Sequence, residues 1–110
     1  RQSGGRLVAV LGDMLELGTL EVELHARVGE VVARVGTSLF VACGSRMRVA
    51  AEEARELGCD LVVEVADPTA AIDHVRRFVA ESDVVLVKGS RGMRMERVAD
   101  ALRTSAEVRA

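Results

Sequence analysis

The sequence predicts an α/β domain: one parallel sheet of about four strands, with helices on both faces. Short runs of branched aliphatic residues at 7–11, 39–42, 61–65 and 84–87 alternate with stretches whose apolar residues recur at helical spacing. Each run ends in a turn containing glycine or charged residues. The apolar content is 49% but only two residues, Phe40 and Phe78, are aromatic, so the core must be built from Val, Leu and Ala. That is the composition of a sheet sandwiched by helices, and 110 residues suffice for one such domain without metal or disulfide staples.

The elements follow in order. Residues 1–5, Arg-Gln-Ser-Gly-Gly, read as a linker, and 6–110 as the domain. After the first strand, the loop Gly12-Asp13-Met14-Leu15-Glu16-Leu17-Gly18 is bracketed by glycines. Thr19 is placed to cap a helix whose inner stripe would be Leu20, Leu24, Val28, Val31, Val32 and Val35, with Gly36 closing it. His25 lies beside that stripe and reads as a partly exposed, hydrogen-bonded histidine, since no second histidine or cysteine stands at metal spacing. The second strand exits through Gly44-Ser45 into a helix from about residue 46 to 57, its inner face Met47, Ala50, Ala51, Ala54 and Leu57. After the third strand, Asp67 followed by Pro68 is a strong helix start, and that helix buries Ile72, Val75, Phe78 and Val79 before ending near Ser82. Asp83 precedes the fourth strand, whose unbroken Val-Val-Leu-Val reads as buried on both faces. A last helix carries Met95, Val98, Ala99 and Leu102, and a charged tail follows from Arg103.

For four such units the expected strand order is 3-2-1-4, which makes strands 1 and 4 neighbours where the winding reverses. Open α/β sheets bind ligands beyond the C-terminal strand ends at that switch point. Two loops would meet there. One carries Asp13 and Glu16; the other carries Lys88, Gly89, Ser90, Arg91 and Arg94. Lys88 is the only lysine among 15 cationic side chains, which marks a place for a compact, movable ammonium. Two readings stay open: a ligand site, or a structural Lys88–Asp13 ion pair across the rim.

Composition excludes several classes. A net charge of −2 argues against a nucleic-acid or anionic-membrane binder, and no apolar run approaches the roughly 20 residues of a bilayer span. Cys43 and Cys59 form no metal pattern and read as reduced thiols of a cytoplasmic protein. Neither a G-x-G-x-x-G dinucleotide turn nor a P-loop is present, since Lys88 precedes its glycine.

The stretches Val10-Leu11-Gly12-Asp13-Met14-Leu15-Glu16-Leu17-Gly18, Leu24-His25, Val28-Gly29 and Val84-Val85-Leu86-Val87-Lys88-Gly89-Ser90-Arg91-Gly92-Met93-Arg94-Met95-Glu96 together resemble the C-terminal domain of the Mur ligases. The likeness runs over about residues 6–103 and is nearest to the branch that adds D-alanyl-D-alanine to a UDP-N-acetylmuramoyl-tripeptide in peptidoglycan synthesis. It implies a Rossmann-like third domain that closes over a central ATPase domain, with a sugar-nucleotide domain before it. It also implies Asp13 near the nucleotide, and Lys88, Gly89, Ser90 and Arg91 near the incoming dipeptide. ATP and Mg2+ would be held mainly by the central domain. The P-loop, the magnesium ligands and the UDP-sugar domain would lie before Arg1, so the chain alone is expected to be inactive. The resemblance says nothing of oligomeric state. Two rival readings are a stand-alone nucleotide- or partner-binding module and a receiver-like domain. The latter needs five βα units and an acceptor aspartate after strand 3, where Asp67 is better spent as a helix cap.

Overall fold

The computed structural model describes residues 5–90, 94–103 and 107–109. Strands β1 (Leu7–Gly12), β2 (Leu39–Cys43), β3 (Leu61–Val65) and β4 (Val84–Lys88) alternate with helices α1 (Glu21–Arg34), α2 (Arg48–Glu56), α3 (Pro68–Phe78) and α4 (Glu96–Leu102). A short β5 (Glu107–Arg109) follows. The sheet order is β3-β2-β1-β4-β5, and every pairing is parallel. The expected 3-2-1-4 order is therefore present, extended by one edge strand. That strand replaces the expected charged tail: Val108 pairs with Val85 and packs on the core, burying an apolar side chain that the flanking charges hid in the sequence.

Strand alternation splits the core into two layers. Val8, Val10, Val41, Val85 and Val87 face Ala71 and Val75 of α3 and Val98, Ala99 and Leu102 of α4. Ala9, Leu11, Phe40 and Ala42 face Val32 of α1 and Met47, Ala50, Ala51 and Ala54 at α2. Helices α1 and α2 sit over β1 to β3, so β4 is covered on one face only. Its burial alternates and Leu86 is exposed, which corrects the reading of a strand buried on both faces. An apolar groove of about 250 Å³ runs along this uncovered side, between Leu7, Ala9 and Leu86 on the sheet and Val28, Val31 and Val35 on α1.

Helix α1 is also rotated from the expected stripe. His25, Gly29 and Val32 are buried, whereas Leu20, Val31 and Val35 are about half exposed. The reason is its contact with α2, whose closest approach is Gly29 against Ala50, with Val32 beside the α2 alanines. Thr19 caps nothing: Gly18–Leu20 forms a 3-10 turn leading into α1, with no side-chain cap. At α3 the expectation holds, with Pro68 in the first turn and Asp67 accepting from Ala70 N–H at 3.0 Å. That helix ends at Phe78, short of Ser82, because Val79 turns extended to feed a clamp at the N-terminal edge of the sheet.

In the clamp, Asp83 accepts from Arg6 N at 2.9 Å, Arg6 Nε at 3.2 Å, Arg6 Nη2 at 2.8 Å and Ala80 N at 2.8 Å. Arg6 Nη2 also donates to Phe78 O at 2.7 Å, and the guanidinium lies 3.9 Å from the Phe78 ring centroid. The Arg6 bonds, aided by the Ala80 amide, hold the Asp83 carboxyl down at about 2 against the cost of burial.

Both cysteines are free. Burial first, then the charges of Asp13 and Asp67, push the Cys43 thiol up to about 12. Cys59 is only partly buried and is raised chiefly by desolvation. Thiolate, not thiol, reacts with alkylating reagents. In the native chain at mildly alkaline pH, iodoacetamide is therefore expected to modify Cys59 slowly and Cys43 only as the chain unfolds. Mass spectrometry of peptides from the native reaction checks this; equal labelling of both would contradict the buried placement of Cys43.

Candidate functional site

The site is built where β1 and β4 end. Leu11 pairs with Lys88, so the loops that leave the two strands start side by side at the C-terminal rim. Glycines let them touch: a Cβ on Gly89 would stand 3.2 Å from Gly12 Cα and 2.5 Å from Met95 Cγ. Two bonds latch the loops together. Ser90 N–H donates to Asp13 O at 3.1 Å, and Leu15 N–H donates to Ser90 Oγ at 2.9 Å.

Asp13 is 4% exposed, and its carboxylate is turned inward. Oδ1 accepts from Met47 N–H at 2.8 Å, just ahead of α2, and Oδ2 lies 3.5 Å from Arg46 Nη1. Gly44, at φ +104°, is pressed against that carboxylate, where a Cβ would sit 2.5 Å from it. Only a residue without a side chain fits both the space and the left-handed backbone. Arg46 continues the chain of contacts, its Nε donating to Glu21 Oε1 at 2.9 Å. The Glu21 bond and charge, and then Asp13, hold the Arg46 guanidinium above its ordinary value, so it is a fixed, half-exposed cation at the rim.

His25 is fully buried, which corrects the expectation of partial exposure. Its Nδ1 lies 2.7 Å from Glu21 O, and its Nε2 lies 3.1 Å from Met14 N. A carbonyl can only accept and an amide N–H can only donate, so these partners select the neutral ring with its proton on Nδ1.

Lys88 stands on the same side of the sheet as Leu86, exposed, and makes no ion pair among the described residues. The Lys88–Asp13 ion pair left open by the sequence is not formed, because Asp13 is paired with Arg46 instead. Lys88 edges a cleft of about 290 Å³ whose floor is Leu11, Met14, Val28 and Met47 and whose polar side is Gly89 and Ser90. An exposed ammonium beside an apolar floor suits a small molecule bearing an anionic group and short aliphatic side chains.

Of the sequence-predicted site residues, Asp13, Lys88, Gly89 and Ser90 are brought together at this rim; Arg91 lies outside the described residues. Sequence reasoning missed two residues. Arg46 carries no motif signal. His25 had one, in that a histidine four residues after Glu21 can bond back to the helix, but its partner Met14 is visible only in three dimensions. Among the described residues no three His, Cys, Asp or Glu side chains gather as a metal site, and no helix is long and apolar enough to cross a membrane.

Comparison with known proteins matches residues 1–91 to the family described as Mur ligase, glutamate ligase domain. The chain belongs to the Mur ligase family. The UDP-N-acetylmuramoyl-tripeptide–D-alanyl-D-alanine ligase of Escherichia coli is 37% identical over 100 residues, covering 89% of this chain and 21% of the relative. The Mycobacterium leprae ligase of the same name is 36% identical over 99 residues, covering 86% and 19%. Among solved structures, MurF from Acinetobacter baumannii superposes with a TM-score of 0.72 at 29% identity, over 90% of this chain and 22% of that one. The MurF ligase of Thermotoga maritima in complex with ADP gives 0.71 at 25% identity, over 91% and 22%. This Mur ligase domain therefore spans about a fifth of the length of the relatives it matches.

Proposed function

We propose that residues 6–110, after a linker at 1–5, form the domain of an ATP-dependent ligase that presents the incoming D-alanyl-D-alanine to an activated UDP-N-acetylmuramoyl-tripeptide. The observation that carries this reading is the latched pair of loops with Lys88, exposed and without an ion-pair partner among the described residues, at the mouth of an apolar-floored cleft. In such a reaction the tripeptide's terminal carboxylate takes the γ-phosphoryl group of ATP and ADP leaves. The dipeptide amine then attacks the acyl carbon, loses a proton, and inorganic phosphate departs. The domain's share is positioning: an ammonium paired with the dipeptide carboxylate, with its methyl groups on the Leu11–Met14–Val28 floor, aims the amine. Gly89 belongs to the same substrate-facing loop, Ser90 shapes it through Leu15, and Arg91, next in sequence, is assigned to the dipeptide with them. Asp13 serves the nucleotide side by fixing Arg46 and the start of α2, with ATP and Mg2+ held mainly by a separate central domain. The partners are then D-alanyl-D-alanine, ATP and the UDP-sugar peptide. The cytoplasm is the setting that fits ATP use and two free cysteines.

The test is a chimera in which this chain replaces the matched fifth of the Escherichia coli ligase. It is expected to release phosphate only when ATP, the UDP-tripeptide and D-alanyl-D-alanine are all supplied. Lys88→Ala should raise KM for the dipeptide about tenfold or more, as expected for losing a charge-assisted bond, with the folding midpoint unchanged because Lys88 is exposed. A chimera whose turnover ignores the dipeptide, or a Lys88→Ala variant with unaltered dipeptide KM, would defeat this assignment.

A further inference from the structure

We infer that His25 is the positioning residue of the substrate-facing rim, holding the two loops in register without touching substrate. The relay is short and continuous. His25 Nδ1–H is anchored on Glu21 O at 2.7 Å, and Nε2 takes Met14 N–H at 3.1 Å. The next amide, Leu15 N–H, reaches Ser90 Oγ at 2.9 Å, and Ser90 N–H returns to Asp13 O at 3.1 Å. Consecutive amides of the first loop are thus taken by a helix on one side and by the second loop on the other. Moving Met14 moves Leu15, and moving Leu15 releases Ser90, two residues from Lys88.

The alternative is that His25 merely fills space under α1. Two facts favour a positional role. Both ring nitrogens are bonded, although the ring is wholly buried and an aliphatic residue would need no partner there. Also, Glu16, in the same loop, sits at φ +63°, a backbone state that a non-glycine residue keeps only when its surroundings impose it. The bonds of Met14 and Leu15 fix the chain immediately before it, and Leu17 O, immediately after, accepts from Leu20 N–H at 3.2 Å.

The idea concerns the geometry of the rim; its effect on dipeptide binding rests on the ligase reading above. The test therefore has an arm that needs no activity. Amide hydrogen exchange by NMR is followed in this chain for wild type, His25→Leu, His25→Gln and Ser90→Ala. Leucine keeps volume without an acceptor, and glutamine Oε1 can replace Nε2 as acceptor for Met14. In His25→Leu, exchange at Leu15 and Ser90 is expected to rise about tenfold, the loss of one net hydrogen bond, while Ala51 and Ala54 in α2 are unchanged. His25→Gln should recover most of that protection, and Ser90→Ala should reproduce the loosening of Leu15 with His25 intact. In the chimera, His25→Leu should raise dipeptide KM about as much as it loosens the latch, leaving KM for ATP and kcat near wild type.

Uniform loss of protection through the core, or a glutamine variant no better than leucine, would make His25 a packing residue only and overturn the inference. Should His25→Leu not fold, the Gln and Ala variants decide alone: His25→Gln protected like wild type with Ser90→Ala loosened supports the relay, and no change at Leu15 in Ser90→Ala refutes it. A chimera without ligase turnover would sink the functional reading, while the exchange pattern still decides the role of His25.

Discussion

Replacing Asp83 with asparagine is expected to lower the stability of the domain by about 3 kcal/mol at neutral pH, the scale for breaking a buried, multiply bonded charge. Asp83 looks minor in the sequence, a single acid before a strand. In the structure its side chain is 2% exposed and accepts from two main-chain amides and two guanidinium nitrogens. Asparagine keeps the shape, but one terminal atom becomes a donor facing the N–H of Ala80 or of Arg6. Whichever of the two amides it faces is then left without an acceptor, at a cost of about 1–3 kcal/mol.

The pH dependence separates this account from a simple loss of packing. The folded carboxyl is held at about 2, below its ordinary 3.8. Its contribution is therefore complete above 3.8 and disappears as pH falls through about 2; that part amounts to about 2 kcal/mol. Urea unfolding of wild type and Asp83→Asn should show a gap that is constant at neutral pH and narrows through the acid range. A gap of the same size at the lowest pH where both fold would show that the charge contributes nothing.

The contrast between this clamp and the rest of the fold shows what a sequence makes legible. Strand order and the meeting of the two loops follow from alternation and handed crossovers, so Lys88 and Asp13 could be placed at one rim from the order of elements alone. The Asp67–Pro68 helix start was equally plain because its bonds are local. What stayed hidden depends on partners far apart in the chain. Arg6 and Asp83 are separated by 77 residues, and Leu15 and Ser90 by 75. Asp13 could be read as an acid near a ligand, but not as an acid already bound to Met47 and Arg46. The valines of α1 suggested a broad apolar stripe, yet they edge an open groove, since the helix is seated by its smallest residue. Apolar periodicity reports which residues avoid water; it does not report which neighbour comes closest.

That smallest residue supplies the other large effect. Gly29→Ala is expected to destabilise the domain by about 3 kcal/mol, the upper part of the range for overpacking. On an isolated helix the same change would stabilise by about 1 kcal/mol, because alanine is the better helix former. The sign reverses because α1 and α2 meet here backbone to backbone. A Cβ on Gly29 would stand 2.2 Å from Ala50 O and 3.0 Å from Ala50 C and Cα. No side chain can swing away to relieve that contact, so the helices must part. The experiment that isolates the cause pairs Gly29→Ala with Ala50→Gly: if the clash is with the Ala50 carbonyl, removing the Ala50 methyl rescues nothing, whereas a side-chain clash would be relieved. Gly29 also lies one turn beyond His25 on the same buried face. Lifting α1 off α2 should withdraw the imidazole from Met14 as well, so the variant is expected to loosen the Leu15 and Ser90 amides beyond what its global stability predicts. Exchange at those two amides that tracks the unfolding midpoint alone would uncouple the helix contact from the rim.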